Sequence, residues 1–169
     1  MSEGSHGVVT DGHASPMERE QYLTFQLAGE SYGVDILKVQ EIKGWEPVRE
    51  IPNTPGYIKG VLNLRGSLVP ILDLRERFEL GIVEYTPVTV VIVLTVENHG
   101  DNHAMGFIAD TVSDVIDVDR SQIKNPPGLG SKIDTRYMKG MVVGEQIAVL
   151  LDVDKLLDSE QFSVIESFV

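Results

Sequence analysis

Three short blocks of this 169-residue sequence recur, in the same order, in its second half. GVDILKVQEI from Gly33 matches GFIADTVSDV from Gly106, so that Val39, Glu41 and Ile42 fall on Val112, Asp114 and Val115. YIKGV from Tyr57 matches YMKGM from Tyr137, and ILDL from Ile71 matches LLDV from Leu150. Gly33 and Gly106, Tyr57 and Tyr137, Asp73 and Asp152 are 73, 80 and 79 residues apart, so the slack falls in loops. A period of that kind marks a doubled unit. The copies run over about residues 20–80 and 87–157. Each reads as roughly five strands without a long helix, and a unit that small buries too little apolar surface to stand alone. The expected solution is all-β: two small sheets, each curled to hide its edges, packed against each other.

Local patterns agree. Gln21–Leu27 alternates, with Leu23, Phe25 and Leu27 on one face, and Ala28-Gly29-Glu30-Ser31 turns the chain into Tyr32-Gly33-Val34. Val88–Leu94 is rich in β-branched residues and reads as a buried strand, Glu97–His103 as a turn, and Ala104–Ile108 as the return. Gly66-Ser67 and Gly144-Glu145 mark two more hairpin turns. Pro52–Gly56 and Asn125–Gly128 read as loops. Asp73–Phe78 has room for one helical turn. Ser159–Val169 is the expected C-terminal helix, capped by Ser159, with Phe162, Ile165 and Val169 on one face. Residues 1–18 are polar, Gly- and Ser-rich and without periodicity, and are expected to be a flexible tail ahead of one module over 19–169.

Composition narrows the function. With 14 Lys and Arg against 26 Asp and Glu, the net charge is −12, which repels phosphate backbones and anionic membrane surfaces. Neither nucleic acid binding nor membrane insertion is expected. No cysteine is present, so thiol chemistry and thiolate zinc sites are excluded. The N-terminus lacks the apolar stretch of a secretory signal, which points to a cytoplasmic protein. No G-x-S-x-G, P-loop or G-x-G-x-x-G occurs. His99 and His103, with Asp101 between them, have a metal-like spacing, but on a hairpin turn that spacing does not align side chains as it would on a helix. Asp73, Asp152 and Asp154 end strands in both copies and read as turn residues rather than a catalytic pair. The chain is therefore expected to have no catalytic site, no metal and no cofactor.

ESYGVDILKVQEI from Glu30, YIKGVLNLRG from Tyr57 and VPILDLR from Val69 together resemble the chemotaxis coupling family, the CheW family, and the likeness extends over roughly residues 20–160. The resemblance implies a fold of two SH3-like five-stranded β-barrels and a non-enzymatic adaptor that joins the cytoplasmic tip of a chemoreceptor to the regulatory domain of the histidine kinase CheA. It implies a cytoplasmic protein recruited to membrane-associated receptor arrays. The length favours a stand-alone coupling protein over a kinase-fused or receiver-fused relative, and an adaptor for pilus motility or another receptor–kinase array is the alternative.

The resemblance also implies the site. Receptor contacts fall on Val39, Glu41, Lys59, Gly60, Arg65, Val90 and Val112, in a groove between the barrels. Val39, Val90 and Val112 would form its apolar floor, or else be plain core. Gly60 would let the partner backbone approach. Glu41 and Lys59 would fix orientation from the rim, or else lie on a solvated strand edge. Arg65 has two readings: pairing with a partner carboxylate, or folding inward to tie loop carbonyls together. The kinase-facing surface is placed more loosely on Leu129, Ile133, Met138, Gly140 and Val142.

Overall fold

A computed structural model describes residues 18–81, 84–125 and 134–167. In chain order these form β1 (Arg19–Leu27), β2 (Glu30–Asp35), β3 (Val39–Gly44), β4 (Ile58–Leu64), β5 (Ser67–Asp73), α1 (Leu74–Arg77), β6 (Val90–Asn98), β7 (Asp101–Ala109), β8 (Thr111–Asp119), β9 (Met138–Val143), β10 (Ile147–Leu151) and α2 (Ser159–Glu166). They build two five-stranded sheets, ordered β8-β1-β2-β10-β9 and β3-β6-β7-β5-β4. The fold is the expected pair of SH3-like barrels. Residues 1–17 of the expected tail, with Leu129, Ile133 and Val169, lie outside the described residues.

The barrels are not the two repeats. Each repeat's first hairpin sits in the sheet that holds the last three strands of the other repeat. The first copy crosses over at a 3-10 turn, Ile36–Lys38, where the Asp35 side chain accepts a hydrogen bond from Leu37 N. The second crosses at Asp110, between β7 and β8. The exchange explains the matched glycines. β2 runs parallel to β10 with Gly33 opposite Leu150, and β7 runs parallel to β5 with Gly106 opposite Ile71. A Cβ on Gly106 would lie 2.6 Å from Ile71 Cδ1, and one on Gly33 would lie 2.9 Å from Leu150 Cδ2. Repeat-to-repeat contact is therefore tightest where the sequence repeats most plainly.

Alternation along the strands separates two kinds of core. Leu23, Phe25 and Leu27 of β1 and Ile92, Leu94 and Val96 of β6 join one large apolar cluster that also takes in Phe162 and Ile165 of α2. The residues between them turn into the separate barrels: Val91 and Val93 pack with Val69, Ile71 and Ile108, and Tyr22 with Val118, Val142 and Leu150. Burying one such side chain stabilises by about 1.5–3 kcal/mol. The middle of the seam between the sheets is thus solid core, not an open cleft.

Several local expectations shift. β6 starts at Val90 and runs to Asn98, so the strand lies further along than Val88–Leu94 and the turn shrinks to His99-Gly100. His99 and Gly100 have φ of 52° and 85°, as do Ala28 and Gly29 at 51° and 82°; this left-handed pair matches the twist of the flanking strands. The cap of α2 is Asp158, not Ser159: its carboxylate accepts from Gln161 N, and Gln161 returns the bond. Asp73 and Asp152 cap the turns that follow β5 and β10, as read from sequence. Pro70 sits inside β5, yet the ladder to β7 begins only at Ile71, so its missing N–H leaves no gap there.

Candidate partner-binding site

β3 and β4 are the two outer strands of their sheet, and an ion pair links β3 to the turn that follows β4. Arg65 lies in the β4–β5 turn with φ 53°, followed by Gly66 at 87°, and Asn63 Oδ1 accepts from Gly66 N at 3.0 Å. This turn throws the Arg65 side chain outward, 80% exposed, with Nη2 3.0 Å from Glu41 Oε1. Arg65 therefore does not fold inward onto loop carbonyls; it clasps Glu41 across the barrel edge. Glu41 Oε1 takes no hydrogen bond, but the Glu41 side chain is 23% exposed and Arg65 80%, so water screens the pair. The second copy has Gly144-Glu145 at this turn and no such clasp. Because Arg65 is exposed, Arg65→Ala is expected to lower unfolding free energy by less than ~1 kcal/mol. A urea titration showing a loss of several kcal/mol would make the clasp essential to barrel closure.

Lys59 and Gly60 stand on β4 beside that edge. Lys59 is half-buried and ion-paired to Glu76 of α1. Gly60 is buried, against the backbone of Arg49. It has φ 149°, and a Cβ there would lie 2.0 Å from Arg49 O. Arg49 pairs with Val61 in both directions, N–H to O at 3.2 and 2.8 Å. Gly60 thus makes room for the protein's own β3–β4 loop. The pattern repeats at Gly140, where a Cβ would lie 2.8 Å from Lys124 O beside the Lys124–Met141 pair. Gly140 and Val142 are both buried, so neither offers an exposed side chain to a partner, and Met138 is half-buried against the main core. That barrel instead exposes Val143 and Ile147, directly opposite each other on β9 and β10.

Val39, Val90 and Val112 are half-buried at the margin of the main core. Val39 pairs with Leu94 and Val90 with Gly44, at opposite ends of the β3–β6 ladder, and a bulge separates Val39 from Glu41. Four residues along a strand span about 13 Å, so Val39 and Val90 flank the core rather than touch. Val112 lies on the other sheet, opposite Phe25. Sequence reasoning missed Leu37, which is 90% exposed on the crossover turn two residues before Val39. Its apolar chemistry looks like core in the string ILKV; only the 3-10 turn shows that it points out.

Among the described residues no group of three or more His, Cys, Asp or Glu is placed to hold a metal. His103 Nδ1 sits 3.2 Å from Glu166 Oε2, and its ring packs on Phe162. What the margin presents is an apolar side chain, half-buried valines and a charged clasp, which are features of a binding surface. Residues 21–161 match the family described as CheW-like domain. The chain belongs to the CheW-like family. A chemotaxis protein CheW from Klebsiella aerogenes is 44% identical over 149 residues, covering 88% of this chain and 87% of that one. The crystal structure of scaffolding protein TtCheW from Thermoanaerobacter tengcongensis superposes with a TM-score of 0.76 at 30% identity, covering 89% and 94%. Protein FrzA of Myxococcus xanthus is 28% identical over 149 residues, 86% of this chain and 90% of that one.

This CheW-like chain also carries a buried ionic knot. Arg75 Nε and Nη2 donate to Asp73 Oδ1 and Oδ2 at 3.0 and 2.8 Å, and Nη1 donates to Asp110 Oδ1 and to Glu84 O at 2.8 and 2.7 Å. Asp110 Oδ2 in turn accepts from Ala28 N in the β1–β2 turn. One guanidinium thus ties α1, the β7–β8 crossover and the exchanged hairpin of the first copy. Burial opposes the Arg75 charge, but Asp73 and Asp110 outweigh it and hold its pKa above the usual arginine value. Tyr85 stacks on Trp45 at 4.5 Å and donates to Asp73; burial, then the Asp73 charge, push its hydroxyl up to about 12.

Proposed function

We propose that this chain is a non-enzymatic scaffold of chemotaxis signalling, coupling the cytoplasmic tip of a transmembrane chemoreceptor to the regulatory domain of the histidine kinase CheA. The CheW-like match over residues 21–161 carries the reading. Three features of the chain support it. Within the first string that bears the family likeness, exposed Leu37 and half-buried Val39 stand at the core margin and offer an apolar surface to a receptor helix. The Glu41–Arg65 clasp offers charge at the rim. On the other barrel, exposed Val143 and Ile147 offer an apolar pair for the kinase side. No described helix is long and apolar enough to cross a membrane. On this reading, which rests on the family match, the chain acts from the cytoplasmic face of receptor arrays. The FrzA likeness keeps a related receptor–kinase system as the second reading, at lower identity than the chemotaxis relative.

The test is reconstitution of receptor-bearing membranes and CheA with and without this protein. Added protein should raise kinase autophosphorylation, and an unchanged rate overturns the reading. Within that assay, Leu37→Asp is expected to weaken receptor binding about tenfold, ~1.4 kcal/mol, with an unaltered melting temperature. Val39→Glu should weaken binding and also lower the melting temperature, because Val39 packs on the core. Full receptor binding by Leu37→Asp would move the docking surface elsewhere.

A further inference from the structure

A second polar site lies away from the seam valines, between α1, the turn before β9 and the start of α2. It is a hollow of about 610 Å³ whose wall brings Arg77, Arg136 and Lys155 together. Convergence of three cations is unexpected in a chain of net charge −12.

The hydrogen-bond inventory shows what the hollow lacks. Arg77 Nε and Nη2 donate to Leu156 O at 3.2 and 3.1 Å, and Nη2 also donates to the Tyr137 hydroxyl at 2.8 Å. Arg136 Nη2 donates to the same hydroxyl at 2.8 Å. Two like charges therefore stand within two hydrogen-bond lengths of each other. Asp134 Oδ2 lies 3.4 Å from Arg136 Nε and Asp152 Oδ2 lies 3.9 Å from Lys155 Nζ, so among the described residues the uncompensated cation of the three is Arg77. The Arg77 guanidinium lies over the rings of Tyr57 and Tyr137, 5.0 Å from each centroid, so its plane is held in place. Among the described residues Arg77 has no carboxylate partner, and Nη1 of both arginines has no acceptor. The carboxylates in the wall are already used. Asp158 caps α2 through Gln161 N, and Asp154 binds Lys38 Nζ and Glu97 N. A guanidinium has only donors, so the site is rich in N–H groups and short of acceptors.

We propose that this hollow is an anion-accepting site, and that its occupant is a single aspartate or glutamate side chain of a protein partner. Planar N–H donors on Arg77 and Arg136 suit the two oxygens of a carboxylate. One negative charge fits better than two, because Asp154 and Asp158 in the wall repel a dianion.

The probe is N-acetyl-glutamyl-methylamide at constant ionic strength, read on the side-chain Nε–Hε resonances of Arg77 and Arg136. Its glutamine counterpart and inorganic phosphate are the comparison arms. Both resonances should shift saturably with the glutamyl compound, with a Kd on the order of 10 mM, and stay still with the glutamine compound. Arg136→Gln, at a largely exposed position that leaves the fold intact, should weaken binding about fivefold or more. Arg77→Gln should abolish it, with the Arg136 resonance as readout and the melting curve as a check on folding. No saturable shift, equal shifts with the neutral compound, or unchanged affinity in Arg136→Gln overturns the site. Tighter binding of phosphate overturns the carboxylate assignment and gives the hollow to a phosphoryl group.

Discussion

Arg75→Ala is expected to lower the free energy of unfolding by about 3–5 kcal/mol, a large share of what holds a domain of this size together. The side chains of Arg75 and Asp73 are 5% and 0% exposed. Removing the guanidinium leaves the Asp73 carboxylate buried with only the Arg75 backbone N–H and the weak 3.3 Å bond from Tyr85. It also frees Asp110, which anchors the crossover and the β1–β2 turn. The loss therefore reaches beyond one ion pair to the exchange of hairpins between barrels. Urea unfolding measures it. Combining Arg75→Met with Asp73→Asn should recover part of the loss, since no uncompensated charge is then buried while the cap on α1 is kept. A single-variant loss below ~1 kcal/mol would mean that water reaches the knot and that it behaves as a surface pair.

Gly60→Ala is the second large effect, expected at about 2–5 kcal/mol from backbone strain and overpacking together. The new methyl would meet a backbone carbonyl, Arg49 O, that is itself locked to Val61, so neither side can yield cheaply. Gly66→Ala is the control. Gly66 also has a positive φ, 87°, but open space where the Cβ would go, so only the conformational cost of about 1 kcal/mol remains. Equal melting temperatures for the two variants would refute the steric account. A Gly60→Ala protein with wild-type stability and lost receptor binding would restore the idea that a partner backbone approaches there.

The sequence made most of the chemistry legible. Alternation exposed β1, and aspartates at strand ends announced the caps that Asp73 and Asp152 provide. Site residues were legible only as identities. Gly60 was visible as a glycine needed for a close approach, but not whose backbone approaches. Arg65 was visible as an added cation, while its outward direction depends on a left-handed turn that a sequence window does not report. Leu37 was hidden because an apolar residue inside an apolar string looks buried until the crossover turn is seen. Arg77 carried no signal at all, since its site exists only where α1 meets the turn before β9 and the segment leading into α2.

By itself, then, the amino-acid order settled the strand-rich class, the duplication and the family likeness, because each is written in local period or in matched blocks. Which strand lies beside which was left to the folded chain. A two-residue alternation tells a side chain which face to take but not which sheet, and β5 meets β7, like β2 meets β10, only after a loop of thirty or more residues closes. The exchanged hairpins, the solid seam and the cationic hollow all follow from those distant pairings.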